Sequence, residues 1–266
     1  MKRITQNWLL FFGATIIILL VCEIGLRLSG RVSTWAEKNV DWKIIINWTI
    51  RGPKMTSWYF LKPPNYDLSY GHQEFEYDYT TGPLGCREHL AAFHDSTSVK
   101  NRILTLGDSF TEGVGTPSDS TWVKLMERQI PDSISVETYN AGQSGSDPWF
   151  QYMLLRDSLY KLNPSLVLVC INTSDISDYM VRGGMERFKE GGTLSFRAMP
   201  IWEPLFRFSH FSRLFFLAAG YDHLLFTQSE KERYRGEFVS SLDSLAVSFQ
   251  TLSEKRGFKV VFIFFP

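Results

Sequence analysis

From residue 101 onward the chain alternates between apolar runs and stretches with helical spacing. The apolar runs are Ile103–Leu106, Leu166–Ile171 and Phe258–Phe265, and a β-like stretch covers Ser135–Tyr139. These runs do not alternate with polar residues, which is typical of strands buried on both faces of a parallel sheet. The order of strands and helices therefore predicts an α/β domain over residues 101–266, built on a parallel sheet.

Three helices are predicted between these strands. Ser118 or Asp119 is expected to cap a helix that continues to about Gln129, with Trp122, Leu125 and Met126 turned to the core. Asp147 caps a second helix, which has Pro148 in its first position and continues to about Leu162. The third helix covers Glu230–Arg256 and ends at Gly257. Its apolar stripe consists of Phe238, Leu242, Leu245, Phe249 and Leu252.

The N-terminus carries a different apolar segment. Lys2 and Arg3 precede an apolar run that begins at Trp8 and continues to about Leu28, interrupted by Glu23 and Arg27. We expect an uncleaved single-pass membrane anchor over residues 1–30, because no small-x-small cleavage site follows the run. A cleaved signal peptide is the alternative. Positive charges on the two sides are nearly balanced, and the short N-terminal tail favours a main domain outside the cytoplasm.

Two further segments lack a clear period. Residues 31–100 are rich in aromatic side chains and are expected to be an irregular linker or pre-domain. Within them, Val40–Ile50 is either an interfacial segment beside the membrane or a linker packed on the main domain. Residues 179–229 are expected to form an irregular insertion, a cap that shapes the acyl or leaving-group pocket or dips toward the membrane.

Composition and charge exclude several classes of function. The net formal charge is +0, and no basic cluster with interleaved aromatics is present, so nucleic acid is not an expected partner. Cys22, Cys86 and Cys170 are an odd set, two of them in apolar segments, and a disulfide framework is not expected. No phosphate-binding loop and no metal-ligand spacing is found, so we expect neither a cofactor nor a metal.

Small and polar residues follow three of the predicted strands. Gly107-Asp108-Ser109 follows the first, Asn140 to Gly145 the second, and Asn172-Thr173-Ser174-Asp175 the third. The carboxyl ends of parallel strands meet at one sheet edge, where open α/β folds bind ligands. Ser109 is therefore a candidate nucleophile, and the other segments are candidate hydrogen-bond donors to a developing oxyanion.

These three blocks resemble those of the SGNH (GDSL-type) hydrolases. The resemblance implies a flavodoxin-like three-layer architecture, with Ser109 as nucleophile and first oxyanion donor and Gly145 as second donor. The family has Gly-x-Asn-Asp in its third block, so Ser174 stands in the place of the oxyanion asparagine, while Asn172 lies two residues earlier. Both residues are candidate third donors, and the alignment favours Ser174. Asp108 is expected to orient the serine turn rather than to act as a base.

The family's catalytic Asp-x-x-His block has no counterpart in residues 1–266. No aspartate stands three residues before any histidine, namely His72, His89, His94, His210 or His223. We expect the natural chain to continue past Pro266; an inactive relative, or a base supplied by His89 or His94, are the alternatives. Leu84-Gly85-Cys86-Arg87-Glu88 partly matches the stretch before the family's serine block, which places Arg87 either near the site or in a surface ion pair.

The resemblance thus predicts a membrane-anchored serine esterase that hydrolyses O-acyl esters, in particular O-acetyl esters, of envelope carbohydrate or lipid. An O-acyltransferase that uses the same serine and a non-catalytic envelope-binding protein are the alternatives. The expected location is the bacterial inner membrane, with a single span and an extracytoplasmic catalytic domain. The expected partners are the ester substrate and the membrane.

Overall fold

The computed structural model describes residues 2–32, 54–55, 64–65, 67–71, 76–82, 85–87, 101–131, 133–189, 193–195 and 200–265. They fall into two compact units. The smaller unit combines Met1–Lys54 with Ser195–Glu232, and the larger combines Met55–Leu194 with Arg233–Pro266.

The described strands and helices are numbered in chain order. The strands are β1 (Lys54–Met55), β2 (Asp67–Gly71), β3 (Glu76–Thr80), β4 (Asn101–Gly107), β5 (Val136–Gly142), β6 (Leu166–Ile171), β7 (Phe188–Lys189), β8 (Thr193–Ser195) and β9 (Lys259–Phe264). The helices are α1 (Lys2–Ser29), α2 (Ser109–Glu112), α3 (Trp122–Gln129), α4 (Pro148–Asp157), α5 (Ser174–Arg182), α6 (Glu203–Phe208), α7 (His210–Ala218), α8 (Tyr221–Leu225) and α9 (Gln228–Arg256).

A four-stranded parallel sheet in the order β5-β4-β6-β9 forms the centre of the larger unit. Leu104 of β4 is in register with Tyr139 of β5 on one side and with Val167 of β6 on the other. Side chains of the two central strands are fully buried, among them Leu104, Leu106, Val167 and Val169. The predicted α/β fold with a parallel sheet is therefore confirmed.

Helices cover both faces of this sheet. In the sheet, β5 lies on one side of β4, and β6 and then β9 lie on the other side. The connection from β4 to β5 therefore runs in the opposite direction to those from β5 to β6 and from β6 to β9. Because such crossovers are right-handed, α3 lies on one face, and α4 and α9 share the other. On that shared face, Trp149 Nε1 donates to Ser241 Oγ at 2.8 Å, and the rings of Tyr152 and Phe249 pack edge to face. The result is a three-layer arrangement.

One predicted helix start is confirmed and another is wrong. Asp147 Oδ1 accepts hydrogen bonds from the backbone N–H groups of Trp149 and Phe150, and Pro148 is the first residue of α4, as predicted. The predicted cap of α3 is wrong, because Ser118 and Asp119 lie in a separate 3-10 turn and Thr121 precedes the helix without a side-chain cap. Val123 is the buried residue of α3, whereas Leu125 is exposed.

At the C-terminal end of the larger unit, the structure confirms the predicted helix but not the predicted burial of the strand. Helix α9 begins two residues earlier than predicted and ends at Gly257, whose φ is +79°. The expected burial of the last strand on both faces is wrong, because Val261 and Phe264 of β9 are exposed. Among the described strands, β6 is the only neighbour of β9 in this sheet.

The segment expected to be irregular before β4 contains an antiparallel pair. β2 pairs with β3, with Leu68 opposite Tyr79, and the side chains of Tyr77 and Tyr79 are buried. A second, shorter antiparallel pair joins β7 and β8. The predicted interfacial segment Val40–Ile50 lies outside the described residues.

Most of the described residues of the smaller unit are helical. The irregular structure expected for residues 179–229 is wrong, since α6, α7 and α8 lie within this segment. Trp202 stacks on Phe216 and Phe206 stacks on Tyr221, with ring centroids 4.5 and 4.0 Å apart. In α1, the stretch Gln6–Ser29 is long and apolar enough to cross a membrane by length and composition.

A pair of glycine substitutions tests the close packing of α2 against β5. A Cβ on Gly142 would lie 2.6 Å from the carbonyl carbon of Thr111, whereas a Cβ on Gly236 of α9 would meet nothing within 4 Å. We expect Gly142→Ala to cost about 1–3 kcal/mol of unfolding free energy by overpacking against backbone. Gly236→Ala should instead stabilise the helix by about 0.5–1 kcal/mol. Denaturant unfolding of the purified chain measures both, and equal stability of the two variants would contradict this packing.

Candidate active site

Ser109 occupies the first position of α2, directly after the central strand β4. The helix folds back over the strand end, so that a Cβ on Gly107 would lie 2.6 Å from Thr111 Cβ. Glycine is therefore required at this position by the close approach. As the first residue of a helix, Ser109 has a backbone N–H that no intrahelical carbonyl accepts.

Asp108 is buried and holds the serine turn together. Its Oδ1 accepts a hydrogen bond from the backbone N–H of Phe110 at 3.0 Å. Its Oδ2 accepts from Asn172 Nδ2 and from Ser174 Oγ, each at 2.8 Å. The carboxylate thus joins the β4 end to the β6 end.

Asn172 and Ser174, the two candidates for the third donor, form one hydrogen-bonded unit. Besides their shared bond to Asp108, Asn172 Oδ1 accepts from the backbone N–H of Ser174 at 2.7 Å and lies 2.6 Å from Ser174 Oγ. The Ser174 hydroxyl has a single proton, and both of its neighbours are acceptors. The amide of Asn172 has two N–H groups, of which Asp108 accepts one.

The loop after β5 is bonded to the serine turn at several points. Asn140 Nδ2 donates to the carbonyl of Thr111 at 2.7 Å. Gln143 N and Ser146 Oγ both donate to the carbonyl of Gly107, at 2.9 and 3.0 Å. The ends of β4 and β5 are therefore held at a fixed spacing.

Gly145 lies in this loop with a positive φ of 69°. A Cβ here would lie 2.5 Å from Arg182 Nη2, and Arg182 Nε donates to the Gly145 carbonyl. No hydrogen bond is recorded for the Gly145 N–H within the described part of the chain. The guanidinium thus fixes the carbonyl of Gly145, while the Gly145 N–H, which belongs to the preceding peptide group, stays available.

Glu112 was not anticipated from the sequence, yet it connects the serine helix to this loop. It is buried at the end of α2, and its Oε2 accepts hydrogen bonds from Ser144 N at 2.7 Å and from Ser144 Oγ. Its Oε1 accepts from the Tyr79 hydroxyl at 2.8 Å. Because Ser109 begins the helix that Glu112 ends, and Ser144 precedes Gly145, this carboxylate couples the two candidate backbone donors.

Arg87 lies close to the site, which excludes the surface ion pair. Its side chain is buried and donates to the backbone carbonyls of Glu112, Gly113 and Thr116, the residues just after the serine helix. Its own N–H donates to Asn140 O at 2.7 Å. Burial lowers the pKa of the guanidinium, and the neighbouring Tyr79 partly offsets this effect. Leu84 and Glu88 of the same matched stretch lie outside the described residues.

Asp175 lies beneath these groups and is fully buried. Its Oδ2 accepts from the backbone N–H of Asn172 at 2.7 Å, which fixes the third block. Burial raises its pKa to about 8, and repulsion from Asp108, Asp147 and Asp178 acts in the same direction. Burial likewise raises the pKa of Asp178 to about 6, opposed by Arg182.

Histidine is absent from the described residues of the larger unit. His72, His89 and His94 fall outside the described residues, so the suggestion that His89 or His94 acts as base is not tested. His210 lies in the smaller unit, with Nδ1 3.2 Å from Glu23 Oε1. The described part of the chain also contains no cluster of three or more His, Cys, Asp or Glu residues that would hold a metal.

No protein-family model and no curated protein matches the chain. Among solved structures, it is similar to TesA, with 26% identity over 26% of this chain and 39% of that one and a TM-score of 0.25. It is also similar to a lipolytic protein of the G-D-S-L family from Desulfitobacterium hafniense, with 15% identity over 61% of this chain and 77% of that one and a TM-score of 0.28. A catalytic mutant of the acetylxylan esterase Axe2 from Geobacillus stearothermophilus matches with 12% identity, 61% and 75% coverage and a TM-score of 0.28.

The chain spans 39% of the length of TesA, and about three quarters of the other two. The geometry of the site, rather than these matches, is the basis for assigning its chemistry.

Replacing Asp175 tests the buried charge beneath the site. Its pKa is about 8 in the folded chain against an ordinary value of 3.8, so the native state binds the proton more tightly than the unfolded state. Its contribution to the unfolding free energy is therefore complete below about pH 4 and is lost as the pH rises through 8. Asp175→Asn should remove this decline, and its stability should exceed that of the parent by on the order of a few kcal/mol above pH 8.

Thermal unfolding over a series of pH values measures this difference. Asp119→Asn is the matched control, because the side chain of Asp119 is 56% exposed in its 3-10 turn. A parallel pH dependence of the Asp175→Asn variant and the parent would show that Asp175 is not protonated in the folded chain.

Proposed function

We propose that this chain is a serine ester hydrolase. In the proposed reaction, Ser109 Oγ attacks the carbonyl carbon of an ester, the alcohol leaves, and water then cleaves the acyl-serine to release the acid. The observation that carries the proposal is the placement of Ser109 at the first position of a helix over the end of β4, with the loop that contains Gly145 hydrogen-bonded to the same turn. Preorganised N–H donors around the developing oxyanion are the main requirement of acyl transfer.

The oxyanion donors in this proposal are the backbone N–H groups of Ser109 and Gly145 together with the Asn172 side chain. Asn172 is favoured over Ser174 because its amide keeps a second N–H after donating to Asp108. The Ser174 hydroxyl has one proton, and Asp108 and Asn172 both compete for it. In this role Asn172 acts from two residues before the family's usual position.

Asp108 is proposed to orient the serine turn rather than to accept the serine proton. Its two carboxylate oxygens already accept three hydrogen bonds, from Phe110 N, Asn172 Nδ2 and Ser174 Oγ. A serine hydroxyl is a weak nucleophile without an adjacent base. The histidine that the family provides in its Asp-x-x-His block is not assigned to any residue of this chain.

The proposed substrates are O-acyl esters, in particular O-acetyl esters, of envelope carbohydrate or lipid. Support comes from α1, whose stretch Gln6–Ser29 has the length and apolar composition of a membrane span. In this proposal the chain is a single-pass protein of a bacterial inner membrane, and the site faces the extracytoplasmic side.

Substitution of Ser109 tests the proposed nucleophile. We expect protein purified from its native membrane to react with a fluorophosphonate probe and to hydrolyse p-nitrophenyl acetate. Ser109→Ala should abolish labelling and lower turnover by at least about 10³-fold, because no other group replaces the nucleophile. The matched control is Ser120→Ala, an exposed serine whose hydroxyl donates to Asp119, and it should retain both activities.

Three results would change this assignment. Full turnover in Ser109→Ala would exclude Ser109 as the nucleophile. An unlabelled, inactive parent chain would favour a non-catalytic binding protein. Transfer of the acetyl group to a sugar acceptor, in place of acetate release, would identify the protein as an acyltransferase that uses the same serine.

Separate variants of Asn172 and Ser174 test the choice of third donor. Asn172→Ala should lower kcat by about 10²–10³-fold with little change in KM, which is the effect of losing one oxyanion donor. Ser174→Ala removes one bond to Asp108 and should have the smaller effect on kcat. The reverse order in steady-state kinetics would identify the Ser174 hydroxyl as the donor.

A further inference from the structure

The smaller unit carries an apolar surface on α7. Leu214, Phe215, Leu217 and Ala218 are exposed, and the helical spacing of about 100° per residue places them within about 160° of the helix circumference. Phe215 and Leu217 are 62% and 52% exposed. Exposed apolar surfaces of this kind are uncommon on soluble proteins and mark sites of interaction with a protein or a membrane.

The acidic residue of α1 fixes the start of α7. Glu23 Oε2 accepts hydrogen bonds from Ser209 Oγ and Phe211 N, each at 2.9 Å, and Oε1 accepts from His210 N at 3.1 Å. A charged side chain within a membrane-spanning stretch requires partners that satisfy it. The N-terminus of α7 provides these partners for Glu23, which lies inside the apolar stretch Gln6–Ser29.

Arg27, one turn further along α1, also contacts this segment. Its Nη2 donates to the carbonyl of Phe208 at 3.2 Å, and its Nε donates to Glu23 Oε1 at 2.8 Å. In the hairpin formed by α6 and α7, the acidic side chain of Glu203 is likewise paired within the unit. Glu203 is fully buried against Arg207 and the Tyr221 hydroxyl, and the Arg213 guanidinium lies over the Phe206 ring.

A groove of about 570 Å³ runs between α1 and this hairpin. Its apolar lining includes Ile16, Leu19, Leu20, Leu205, Phe208 and Phe211. The hairpin therefore lies alongside α1 from Arg27 back to Ile16, a rise of about 16 Å along the helix. This distance is about half of the roughly 30 Å hydrocarbon core of a bilayer.

We propose that the α6–α7 hairpin enters the same membrane leaflet as the C-terminal half of α1, with its exposed apolar side chains in contact with lipid chains. The partner of this surface is the hydrocarbon of the leaflet, because the hairpin packs beside apolar residues of α1 and the acidic groups Glu23 and Glu203 accept hydrogen bonds within the unit. Lipid acyl chains fill the groove between α1 and the hairpin. The proposal rests on the membrane anchoring proposed above.

Spin labels on the full chain test this location. Single cysteines at Phe215 or Leu217, in a background with Cys22, Cys86 and Cys170 replaced by alanine, are labelled with a nitroxide in phosphatidylcholine–phosphatidylglycerol vesicles. The same label at Leu10, on α1, is the reference for lipid, and a label at Val247, which is 62% exposed on α9, is the matched apolar reference for water. Power saturation then compares collisions with oxygen and with a water-soluble nickel chelate.

We expect the oxygen-to-nickel ratio at Phe215 and Leu217 to shift to the value measured at Leu10. A ratio equal to that at Val247, with Leu10 in lipid, would overturn the proposal and leave the anchor intact. Nickel access at Leu10 as well would show that α1 does not insert, and the proposal would fall with the anchor. Low access to both reagents with dipolar broadening would show that a second copy covers this face, which also overturns it. Fluorophosphonate labelling of Ser109 in the same vesicles is read separately, so failure of the proposed catalysis is distinguishable from failure of this proposal.

Discussion

The arrangement of the candidate site depends on the direct packing of a short helix against the ends of two strands. Helix α2 approaches β4 and β5 so closely that Gly107 and Gly142 leave no space for a side chain. This approach places Ser109 at the sheet edge and brings Glu112 within hydrogen-bonding distance of the loop after β5. A bulkier residue at either glycine would move the serine and the loop together, since both are bonded to the same turn.

Buried polar groups maintain this packing from both sides. Arg87 binds the carbonyls that follow the serine helix, while Glu112 accepts from Ser144, next to Gly145. Below them, Asp147 caps α4 and pairs with Arg187, and neither side chain is exposed. Removing one partner of such a buried pair would leave an uncompensated charge, which is costly even though the intact pair adds little net stability. Burial raises the pKa of Asp175, and repulsion from the neighbouring carboxylates, Asp147 among them, adds to this effect.

The sequence was sufficient to predict the features set by local pattern. The apolar runs predicted the strands β4, β6 and β9, and Asp147-Pro148 predicted the start of α4. These features depend on residues that are neighbours in the chain, so the sequence alone indicates them. It was not sufficient for Glu112 and Arg87, whose partners are 32 and 25 residues away. It also left Asn172 and Ser174 as alternatives, although the two share Asp108 as an acceptor, a relation that only the spatial meeting of β4 and β6 creates. The helices α6 to α8 were missed because their aromatic residues pack on one another and do not form a simple stripe.

Glu23 shows how one residue can link an apolar helix to the folded chain. In sequence it interrupts an apolar run and is a liability for a membrane span. In the structure its carboxylate accepts hydrogen bonds from the first N–H groups of α7, which have no intrahelical acceptors. The N–H groups of α7 thus gain an acceptor, and the charge on α1 gains donors. The charge is therefore neutralised by hydrogen bonds and by Arg27 in place of water. An apolar substitution at this position would lengthen the hydrophobic run, yet it would leave the first N–H groups of α7 without their acceptor. The Glu23 carboxylate is therefore required by the packing of the smaller unit, in addition to being part of α1.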